Sequence, residues 1–132
     1  MARTADGVTV SIARDPALVR TVRLVAAAVA RRTGQDEDFV EEVRLAVGEA
    51  CALMVGDRPS QEPSVDPVTV SMRLGERLHV DVVSHSPVEV KDAPHSDLDG
   101  VEPWALLRGL IDDFDVIQTG EATTVSMAWR LA

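Results

Sequence analysis

Apolar and polar positions alternate at period two over VTVSIAR, residues 8–14, which predicts a half-buried strand. Asp15 then offers a side-chain cap, and Pro16 suits the first position of a helix. The period changes there: Leu18, Val22, Val25, Ala26 and Val29 recur at helical spacing, and Gly34 supplies a stop. A second helical stretch covers residues 36–55, with Phe39, Val43, Ala46, Val47, Ala50 and Met54 as its core stripe. Its acids crowd the first turns, where the helix dipole favours them. Residues 56–67, GDRPSQEPSVDP, carry the Pro, Ser and Asp of a loop. Period two returns in VTVSMRL and LHVDVVS, joined by Gly75, Glu76 and Arg77 as a tight hairpin. Residues 85–100 are polar and irregular, a length at which loops often carry function. A third helix starts near Pro103 and holds Leu106, Leu107, Leu110 and Ile111. FDVIQT and TTVSMAWRL close the chain as a second hairpin around Gly120 and Glu121. The order βααββαββ predicts an α+β fold, a two-layer sandwich in which the helices cover one face of an antiparallel-rich sheet.

Composition narrows the setting. A chain of 132 residues, 45% hydrophobic and 27% charged, is sized and balanced for a single domain spanning residues 1–132 with a real core. No apolar run approaches the roughly 18 residues that span a bilayer, and the start, MARTADGVTV, lacks a signal-peptide core. One cysteine, Cys51, cannot close an internal disulfide, which fits a reducing compartment; the expectation is cytoplasmic, without membrane contact. The net charge of −9 argues against direct nucleic-acid binding. The charge is segregated, however. Arg14, Arg20, Arg23, Arg31 and Arg32 sit in one stretch with Asp15 as its only acid, and DEDFVEE follows directly.

Few residues point to chemistry on their own. His79, His85 and His95 have no cysteine or carboxylate partners at metal-ligand spacing, so no metal site is expected. Cys51 lies among core positions without a basic neighbour to activate it. Trp104 and Trp129 read as core, with Trp104 also able to fill space at the start of the third helix. The first helix is more informative. By steps of about 100°, Arg20, Arg23, Leu24, Ala27 and Arg31 share an arc opposite the core stripe. An exposed leucine framed by arginines suits docking against an acidic, partly apolar partner.

Three segments then carry a family likeness. VRLAVGEACALMV resembles the N-box helix of the anti-sigma factor serine kinases of bacterial sporulation and stress response. LHVDVVSHSP is similar to the strand that leads into their Asp-x-Gly adenine motif, and LLRGLIDDFDVIQTGEATTVSMAWRL to their closing helix and hairpin. These kinases are Bergerat-fold, GHKL-type ATPases, related to histidine kinases and gyrase, so the likeness implies the histidine kinase-like ATPase fold. It also implies a site. Glu49 matches the family's general base, while the magnesium-holding Asn is matched by Leu53, which has no oxygen for a hard cation. The adenine-binding Asp falls at His85, or at Ser84 if the pairing slides back by one. Pro87 then replaces a glycine, and the lid glycines fall at Val101 and Pro103, with residues 85–100 in place of the nucleotide lid. The resemblance therefore implies an anti-sigma factor with a degenerate ATP site and no cofactor. It would bind a sigma factor, be released by a STAS-domain antagonist, form a homodimer, and use an Arg early in the first helix, here Arg20, at the partner face. The alternatives are an active Mg-ATP-dependent serine kinase of the antagonist and an adaptor that binds only the antagonist.

Overall fold

The computed structural model describes residues 6–56, 67–85, 111–120 and 122–131. Strand β1 (Asp6–Ile12) leads through a single 3-10 turn (Pro16–Leu18) into α1 (Val19–Arg31), and a short connection leads to α2 (Glu37–Val55). Two hairpins follow: β2 (Val68–Leu74) with β3 (Arg77–Ser84), and β4 (Asp113–Thr119) with β5 (Ala122–Arg130). The five strands form one sheet in the order β1-β2-β3-β5-β4, with every neighbouring pair antiparallel. This is the expected α+β sandwich, and α1 and α2 both pack on one face of the sheet. The third helix and the loop from Ser86 onward lie outside the described residues, although Ile111 at the edge of that span is buried.

Local chemistry accounts for the boundaries. The strand predicted at residues 8–14 sits two residues earlier, because Asp6 and Gly7 gain partners in Leu74 and Arg73 of β2. Asp15 does cap, accepting from the Ala17 N–H at 3.0 Å, but the turn it caps is the 3-10 turn ahead of α1. Between the helices, Gly34 takes a φ of 79°, a left-handed value that suits glycine. Asp36 caps α2 by accepting from Phe39 N–H at 3.1 Å. Alternation then sorts the sheet. Val68, Val70 and Met72 of β2, Leu78, Val80 and Val82 of β3, and Val125, Met127 and Trp129 of β5 face the helices and are buried. The core stripe of α2 is wider than expected. Val40, Gly48, Cys51 and Val55 join it, while Phe39 is only half-buried. The reason is position: α2 packs against α1 on one side and the sheet beneath.

Candidate functional site

The end of β3 and the end of α2 meet at one point, and a residue outside the family pairing joins them. Arg14 Nη1 donates to the Met54 carbonyl at 2.7 Å, and Arg14 Nη2 donates to the Ser84 hydroxyl. Ser84 is fully buried and pairs across the sheet with Thr123, which is also buried. His85 is exposed. Strand alternation therefore turns Ser84, not His85, toward the helices, and the two sequence pairings are not equivalent in space. The signal for Arg14 was available. Extending the period of Val8, Val10 and Ile12 by two puts residue 14 on the inward face. A guanidinium there needs acceptors, and the last turn of a helix supplies carbonyls.

On α2, Glu49 is half-buried, and Leu53, one turn further on, packs against the core cluster. Leu53 brings no oxygen to this region, and Glu49 stays partly in water. Cys51, between them, is buried, and burial pushes its thiol up to about 11. That holds it as an unreactive thiol at neutral pH. Among the described residues no three His, Cys, Asp or Glu side chains converge as a metal site would require. Pro87, His95, Val101, Pro103 and Trp104 lie outside the described residues. Trp129 is core, with its Nε1 buried and without a hydrogen-bond partner among the described residues.

The α1 surface departs from the predicted arc in two places. Arg20 and Arg31 are exposed, and Leu24 keeps 64% of its surface in water. Ala27 is only 4% exposed, so it belongs to the core cluster and not to an outward face. It is rotated from Leu24 by about 60°, which brings it under the neighbouring helix. Arg23 is half-buried, its stem laid over Gly48 of α2: a Cβ at Gly48 would collide with Arg23 Nε and lie 2.8 Å from its Cγ. Arg31 is ion-paired with Glu37 at 3.6 Å. Leu45 of α2, missed in the sequence because it stands off the core stripe, is 52% exposed.

A sequence profile of the histidine kinase-like ATPase domain matches residues 12–129. Among solved structures, the chain is similar to the crystal structure of the RsbU and RsbW domains of Rv1364c from Mycobacterium tuberculosis, with a TM-score of 0.70 and 15% identity. That match covers 96% of this chain but 32% of the other, so this chain spans about a third of that chain's length. At that identity the likeness speaks for the fold. No curated protein matches by sequence.

Proposed function

Because this chain belongs to the histidine kinase-like ATPase domain family, we propose that it keeps the family scaffold for protein capture: an anti-sigma factor that sequesters a sigma factor and yields it to a STAS-type antagonist competing for an overlapping surface. The observation that carries this reading is the Arg14–Ser84 contact beside α2. The end of β3 offers a buried hydroxyl already engaged by a cation, and Leu53 offers no metal ligand. A site that must hold an amino-purine and a hard cation wants carboxylate and amide oxygens at such places. In this reading the chain works in the cytoplasm, as a homodimer, without nucleotide, and switching is mass action among partners. Among the described residues no helix is long and apolar enough to cross a membrane.

Glu49, half in water on α2, favours the competing reading of a Mg-ATP-dependent serine kinase of the antagonist. Calorimetric titration of the purified protein with Mg-ATP and Mg-ADP separates the two. No heat at millimolar nucleotide is expected; micromolar binding would move the kinase reading to the front. Capture is tested with purified sigma factors and the Arg20→Glu variant. Binding is expected to weaken well over tenfold, since removing one partner of an interfacial charge pair costs about 2–5 kcal/mol.

A further inference from the structure

The last turn of a helix leaves carbonyls without intrahelical donors, and its dipole favours a cation beside them. At the end of α2 the Ala52 carbonyl accepts from the Gly56 N–H at 2.9 Å, and the Met54 carbonyl accepts from Arg14 Nη1 at 2.7 Å. The other arm of the same guanidinium, Nη2, donates to the Ser84 hydroxyl at the end of β3. One planar fork therefore joins the end of α2 to the end of β3, against a hydroxyl that is 0% exposed. The backbone on both sides of Arg14 is fixed. Ile12, two residues before it, ends β1 on the buried face, while the Asp15 N–H donates to the Ala13 carbonyl at 2.7 Å and the Asp15 carboxylate caps the turn that follows.

A nucleotide would compete for this same place. Ser84 is the inward-facing residue of the two that pair with the family's adenine-binding acid, and an amino-purine would present its exocyclic N–H donors there. The Arg14 guanidinium already presents planar N–H donors of that kind to that hydroxyl. Its positive charge also stands beside Met54, next in the chain to Leu53, which brings no oxygen to a metal. The residues present do not fit a nucleotide while Arg14 holds them. We infer that Arg14 is an internal ligand of this site: its guanidinium stands in for the amino edge of a purine, so the chain itself closes the purine end. The inference deepens the nucleotide-free capture reading and rests on it, since it names the residue that keeps nucleotide out. Closure by one side chain is reversible by one substitution, whereas erosion of the whole site is not.

The probe is adenosine, which has no phosphate and so needs no metal, titrated into the labelled full chain while backbone amide shifts are followed. The wild type is expected to show no shifts at millimolar adenosine. Arg14→Ala should show saturable shifts at Met54, Ser84 and Thr123. Arg14→Ala/Ser84→Asp should bind about tenfold tighter than Arg14→Ala, because a charged acceptor strengthens the bond to the amino group. Methylguanidinium, which restores the lost fork, should displace adenosine from Arg14→Ala and raise the thermal midpoint of that variant but not of the wild type. If Arg14→Ala does not fold, Arg14→Ser carries the same titration. Adenosine shifts at these residues in the wild type, or none in the folded variants, overturn the inference. A sigma factor captured by the wild type while no variant takes adenosine overturns the inference and leaves the capture reading standing. Adenosine bound by Arg14→Ala, with no sigma factor captured by the wild type, does the reverse.

Discussion

A guanidinium that leaves water must replace the contacts hydration gave it, and Arg14 does so with a helix carbonyl and a buried hydroxyl. Arg14→Ala would strip the Met54 carbonyl and Ser84 of their donor and is expected to lower stability by about 1–3 kcal/mol, read from denaturant midpoints. Arg14→Lys should recover only part of this, because a single ammonium lacks the fork that spans both acceptors. An unchanged midpoint would mean water serves both groups as well as Arg14 does. Cys51 gives a second residue-scale outcome, in pH. Its thiol is held up to about 11 by burial against an ordinary 9.0, so the unfolded chain releases this proton first. Stability should therefore fall as pH rises from 9 to 11, by at most about 1.4 kcal/mol per unit from this group. Cys51→Ala should flatten that part of the profile.

At the scale of elements, the α1–α2 seam is where sequence reading and structure part most clearly. Period alone located β2, β3, β5 and α2, because each alternates or repeats cleanly and is bounded by turn residues. It also gave the α+β sandwich. It placed Ala27 outside because a one-sided stripe has no means of including a second helix on the flank. It passed over Leu45 for a different reason: that residue stands off the core stripe and remains exposed. Ser84 and His85 stayed open in the sequence since a one-residue slip reverses a strand's faces; in space Ser84 is buried and pairs with Thr123, while His85 is exposed. The seam itself is testable by a double-mutant cycle. Gly48→Ala gains helix propensity of about 1 kcal/mol but drives a methyl into the Arg23 side chain. In the wild type the gain should be largely cancelled. In an Arg23→Ala background it should appear in full, and equal effects in both backgrounds would mean Arg23 does not lie over Gly48 in solution.

For the whole molecule, two electrostatic effects oppose each other and their ranges decide the outcome. The ion pairs among the described residues are exposed: Arg31–Glu37, Arg44–Glu41, Arg73–Asp81 and Arg77–Asp113. Such pairs contribute about 0–1 kcal/mol each and partly survive salt because their charges are in contact. Against them stands the surplus of 22 acids over 13 bases, a repulsion spread across the surface and acting at long range. Raising ionic strength from about 0.01 to 0.15 M shortens the screening length from about 30 to 8 Å, which removes long-range repulsion before it touches contact pairs. The thermal midpoint should therefore rise with sodium chloride over that interval. A midpoint that falls would mean the exposed pairs outweigh the net charge.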